Sequence, residues 1–80
     1  MTDHEEILFE GYDSGWDETL PVTLITYKDG SMDIHRQSGS HFNEHIKESE
    51  KVLEQRGLKI DPNDSWAAGA SGIYRRVVRV

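Results

Sequence analysis

Three periodic stretches organise the chain. Apolar and polar residues alternate with a period of two from Thr19 to Arg36, recur at helical spacing from about 41 to 56, and alternate again from Ile73 to Val80. The outer two patterns predict half-buried strands and the middle one an amphipathic helix.

The first alternating stretch reads TLPVTLITY-KDGS-MDIHR, two β-rich runs meeting at Asp29-Gly30. A two-residue Asp-Gly loop favours a type I′ hairpin, because Asp tolerates and Gly readily adopts the positive φ that this turn needs. Paired residue numbers then sum to 59: Tyr27 faces Met32, Ile25 faces Ile34 and Thr23 faces Arg36. Partners share a face, so Ile25, Tyr27, Met32 and Ile34 form the predicted core face, with Leu24, Thr26, Asp33 and His35 opposite.

Residues 1–6 are polar and expected to fray. Ile7 to Tyr12 predicts a first strand, Ile7 and Phe9 pointing one way and Leu8 and Tyr12 the other. Asp13-Ser14-Gly15 has turn chemistry, and Ser40 is a suitable N-cap for the helix. Phe42, Ile46, Ser49, Val52, Leu53 and Arg56 make its buried stripe, and Gly57 ends it, with Leu58 placed to touch Leu53. Leu58-Lys59-Ile60 is short and alternating, Asp61-Pro62-Asn63-Asp64 is a turn, and the small residues of 65–72 predict no element. The expectation is one α+β domain over residues 1–80: an antiparallel sheet of three or four strands in the order β-β-β-α-β, with one helix across its apolar face.

Composition narrows the function classes. There is no cysteine, which removes disulfides and thiolate metal sites and suits a reducing compartment. The first residues lack the basic and apolar regions of a secretory leader, and no run approaches the ~20 apolar residues of a membrane span, so a cytoplasmic protein without a membrane partner is expected. The net charge is −6, unevenly placed: residues 1–27 hold seven acids and no Lys or Arg, whereas Arg75, Arg76 and Arg79 cluster near the end.

The sharpest local chemistry is His41-Phe42-Asn43-Glu44-His45. On a helix His41 and His45 lie one turn apart and can share a zinc ion, with Glu44 near a bound water. This H-x-x-E-H spacing resembles the inverted zinc-protease motif over five residues, without the downstream acidic ligand. With Phe42 and the apolar stripe beside it, His45 is read as a packed, hydrogen-bonded residue, and no metal or other cofactor is expected. A serine-nucleophile elbow and a phosphate-binding loop are missing, so the chain is read as non-enzymatic.

What remains is a small acidic protein-binding module, accessory or inhibitory, that engages a basic surface of a larger protein through Asp13, Trp16, Asp17, Glu18, Glu44 and Glu48. In size and charge alone it resembles small inhibitors carried by phages and mobile elements, some of which mimic nucleic-acid phosphates. The alternative is a nucleic-acid binder acting through Tyr74, Arg75, Arg76 and Arg79, against which the net charge argues. Self-association is also expected: Leu20, Val22 and Leu24 lie on the face opposite the predicted core, and the valines of the last strand would sit on an exposed edge.

Overall fold

The computed structural model describes residues 3–80; Met1 and Thr2 lie outside the described residues. One helix packs on one face of a curled antiparallel sheet. The elements are β1 (His4–Asp13), β2 (Glu18–Thr26), β3 (Met32–Arg36), α1 (Phe42–Gln55), β4 (Leu58–Ile60), β5 (Ala67–Gly69) and β6 (Gly72–Arg79). The sheet runs β1-β2-β3-β6-β4, with β5 also paired to β6, so it has six strands rather than the expected three or four. β3 pairs with Ile73 to Val77 of β6, while β4 (at Val77 to Arg79) and β5 (at Gly72 to Tyr74) lie end to end along its opposite edge. β1 begins at His4, inside the stretch expected to fray, and Glu6 forms an ion pair with Arg56 at the end of α1.

The hairpin register differs by one residue from the expected one. Leu24 faces Ile34, Ile25 faces Asp33 and Thr23 faces His35. The cause is the turn. Of its residues only Gly30 has positive φ, at 88°, so the two left-handed residues of a type I′ turn are not present. Tyr27 instead donates to Ser31 O and accepts from Gly30 N, closing a three-residue loop, a type I turn followed by a glycine bulge. The Asp29 carboxylate holds that form by accepting from both Ser31 N and Ser31 Oγ. A slip of one residue exchanges the faces of one strand relative to the other. The core face is therefore Val22 and Leu24 with Met32 and Ile34, while Tyr27 turns outward and donates its hydroxyl to Asp33.

A bulge between Ile7 and Phe9 corrects the first strand in the same way. The extra residue lets Leu8 and Phe9 both turn inward, Leu8 into the core and Phe9 against the His45 ring. Ile7 and Tyr12 are left more than half exposed. From the helix, Ile46 and Leu53 close the core over Val22, Leu24, Ile34 and Val77, and Gly57, at φ 71°, ends α1 and turns Leu58 into the same cluster.

Of the features that suggested self-association, the second apolar face of β2 and Val77 are covered inside the chain, whereas Val80 stays exposed. The register places Leu20, Val22 and Leu24 under the helix, each no more than 4% exposed. β6 is an interior strand, and Val77 is buried between β3 and β4. Among the described residues no helix is long and apolar enough to cross a membrane.

Candidate functional site

The β1–β2 turn, the end of β3 and the start of α1 meet at one corner, built on a carboxylate that is not on the surface. Asp13, expected among the partner-facing acids, is fully buried, as is Arg36. Continuing the inward alternation of Met32 and Ile34 points Arg36 at the core, where it needs an anion. Its Nη2 donates to Asp13 Oδ2 and to His45 Nδ1, both at 2.8 Å, and its Nη1 donates to Gln37 O at 2.7 Å. The guanidinium carbon also lies 5.7 Å from the centre of the Phe42 ring.

Asp13 does more than neutralise Arg36. Its two oxygens accept from the backbone N–H groups of Gly15, Ser40 and His41 at 2.8–3.1 Å. One carboxylate thus holds the hairpin turn and the entry to α1 together, and takes the place of the Ser40 cap expected from the sequence; no side chain of the helix's own cap residue bonds there. Burial pushes Asp13 up, but Arg36 and the three backbone donors outweigh it and hold the carboxyl well below its usual range.

His45 is 7% exposed. Arginine has only donors, so the Nδ1 that meets Arg36 must accept, and the ring is neutral with its proton on Nε2. Burial and then the neighbouring Arg36 charge lower its pKa. Gly11 belongs here for room: a Cβ on it would come within 2.6 Å of His45 Nε2.

This frame presents a surface. Trp16 is 49% and Tyr12 55% exposed. Trp16 donates its indole N–H to Ser38 O at 2.6 Å, and Tyr12 donates its hydroxyl to Asp17. Asp17 has a positive φ of 54°, a position Asp tolerates better than most residues, and it closes the turn through Asp17 N to Asp13 O. Asp17 and Glu18 stand exposed beside Trp16 in sequence; Ser14 and His41 bridge the turn to Glu44 on the helix. Glu48 lies one turn further along and is paired with Lys51. Five of the six expected partner-facing residues are therefore on the outside, and the sixth, Asp13, is the buried anchor.

Ser14 and Arg36 were not singled out by the sequence. Ser14 Oγ lies 3.1 Å from His41 Nε2, whose Nδ1 is 3.5 Å from Glu44 Oε2. The order is that of a nucleophile, base and acid, but the second distance is too long for a good hydrogen bond. Nor does the corner offer a preorganised oxyanion site, because the N–H groups of Gly15, Trp16, Asp17, Ser40 and His41 all bond to Asp13.

The metal reading loses its second ligand at the same corner. His45 Nδ1 is occupied by Arg36, and among the described residues no three His, Cys, Asp or Glu residues gather as a metal site. Zinc titrated into the protein is expected to bind no tighter than roughly tens of micromolar, as for a surface site short of ligands. Calorimetry showing stoichiometric sub-micromolar binding, abolished by His41→Ala, would reverse that reading.

The four residues of the nucleic-acid alternative divide between the two faces of β6, although Tyr74, Arg75 and Arg76 border one cleft. Arg75 points to the core side, where it donates to Asp61 O and its guanidinium carbon lies 5.7 Å from the Trp66 ring centre. Tyr74 packs at a tilt against His35 on the other face, next to Arg76, which is paired with Asp33 at 3.2 Å. Arg79 is exposed at the end of β6. Compared with known protein families, curated proteins and solved structures, the chain shows no match.

Proposed function

We propose that the protein is a non-enzymatic binding module that engages a basic surface of a larger protein through the corner of the β1–β2 hairpin and the first turn of α1. The observation that carries this reading is the exposure of Tyr12 and Trp16 beside Asp17 and Glu18, in a 27-residue stretch without Lys or Arg. Aromatic side chains give contact area at low entropic cost, and acids around them select a cationic counterpart. The buried Asp13–Arg36 pair supports the reading further, since it fixes the turn before any partner arrives and lowers the ordering cost of binding.

The test is affinity capture from a lysate of the source cells, repeated with Trp16→Ala and with Glu18→Lys/Glu44→Lys. A specific partner retained by the wild type, released by about 0.5 M salt as charge screening requires, and lost from both variants is the expected result. A partner retained equally by all three proteins places the interface elsewhere. A mobility shift of labelled DNA or RNA, abolished by Arg79→Ala, would favour the nucleic-acid alternative instead.

A further inference from the structure

β1 is the edge of the sheet. Among the described residues nine of its ten positions pair with β2, Leu8 being the bulge, and none pairs with another strand, so its second row of backbone groups faces away from the sheet. Long unpaired edges are templates for an added strand, and proteins commonly shield them with lysines, prolines or very short strands. β1 contains no Lys, Arg or Pro. The bulge at Leu8 divides the edge into segments at His4–Ile7 and Phe9–Asp13, and the inward acids Glu6 and Asp13 and the packing of α1 against Phe9 shield its inner side, leaving the outer side open. The opposite edge of the sheet is shared by β4 and β5, of three residues each.

The outward side chains of β1 read Glu5, Ile7, Glu10 and Tyr12, as acid, apolar, acid and aromatic. Ile7 is 54% exposed. The inward acids already have partners, Glu6 in Arg56 and Asp13 in Arg36, whereas Glu5 and Glu10 are exposed. A second copy of β1 would bring further acid and no cation to this edge, and like charges across strands are destabilising. These four side chains share one face, so a strand in which every second residue is by turns cationic and apolar would meet Glu5 and Glu10 with charge, and Ile7 and Tyr12 with area.

We infer that β1 accepts an extended basic segment of the partner as an added seventh strand. This inference rests on the reading of the protein as an acidic binding module and specifies its mode. Main-chain hydrogen bonds supply affinity in such additions, and alternate side chains supply specificity.

The probe is a labelled eight-residue peptide, Lys-Thr-Val-Thr-Lys-Thr-Val-Thr, whose Lys and Val side chains share one face, followed by fluorescence anisotropy. An extended strand offers alternate N–H groups to its two edges, so two N-methylated versions are needed, one methylated at the Lys and Val amides and one at the intervening Thr amides. A peptide of equal charge built from Lys, Gly and Ser reports on charge alone. The parent peptide is expected to bind and to slow amide exchange in β1. One methylated version should lose at least tenfold in affinity while the other stays within about threefold. Equal losses in both, or equal binding by the Gly/Ser peptide, overturn strand addition while leaving the acidic-module reading in place. Binding by none of the cationic peptides, together with salt-insensitive capture from lysate, overturns both. A concentration-dependent dimer protected at β1 would make a second copy the occupant and also overturns the inference.

Discussion

Asp13→Ala is expected to lower the thermal midpoint by roughly 15 °C or more, the largest effect of any single substitution at the corner. Removing one partner from a buried ion pair costs about 3–5 kcal/mol, against a total stability of about 5–15 kcal/mol for a small domain. Here the loss is compounded, because the carboxylate also serves the N–H groups of Gly15, Ser40 and His41. Arg36→Met should be the milder change: it leaves those three bonds in place and replaces the guanidinium with an apolar chain beside Phe42. The double variant Asp13→Leu/Arg36→Met should not recover wild-type stability, since three backbone donors would remain without an acceptor. Urea and thermal unfolding give the ranking. A midpoint for Asp13→Ala within a few degrees of the wild type, or full recovery in the double variant, would show that the carboxylate does not hold the corner.

Acid should destabilise the protein in two stages, the first beginning near pH 6.5. His45 has a lowered pKa in the fold, so the native state binds fewer protons there than the unfolded chain, and stability falls as pH drops through the unfolded value. The groups facing it are Asp13, Arg36, His41 and Glu44; burial and the Arg36 charge lead among the causes, and the two acids oppose them without reversing the sign. Protonation also removes the Nδ1 acceptor of the Arg36 bond. The second stage comes below about pH 4, where Asp13, likewise lowered, must take up a proton in the unfolded chain first. Each single titration contributes a slope of at most about 1.4 kcal/mol per pH unit. Equilibrium unfolding across pH 8 to 3 measures both stages. His45→Gln should flatten the first and leave the second; a wild-type profile flat between pH 7 and 5 would remove His45 from the account.

The helix was legible because its stripe is redundant: Ile46, Ser49 and Leu53 all lie inward, and losing one signal would not move the others. The hairpin was legible only as a hairpin. Asp-Gly serves both a two-residue turn and a three-residue turn with a glycine bulge, and apolar residues occur at both parities of β2, so either register gathers a plausible core face. The side chain of Ser31, which helps Asp29 close the longer loop, carries no pattern signal. β5 was missed because Ala-Ala-Gly neither alternates nor favours strands, and its pairing is set by Tyr74, Ile73 and Gly72 across the ladder. Asp13 was hidden among seven acids. The available clue lay elsewhere, in Arg36 following Met32 and Ile34 at inward spacing, and it is readable in either register, since both put Met32 and Ile34 on the core face.

The place of β6 in the sheet bears on how the chain reaches its native state. β1, β2 and β3 form a meander of neighbours in sequence, whose contacts close short loops and can form early. β6 enters between β3 and β4, pairing Met32 with Val77 and Ile60 with that same Val77. Until it arrives, β3 has a bare edge and the core lacks Val77. The slow step of folding is therefore expected to be the docking of β6. A chain emerging during synthesis carries an unfinished, aggregation-exposed sheet until its last strand is free to insert.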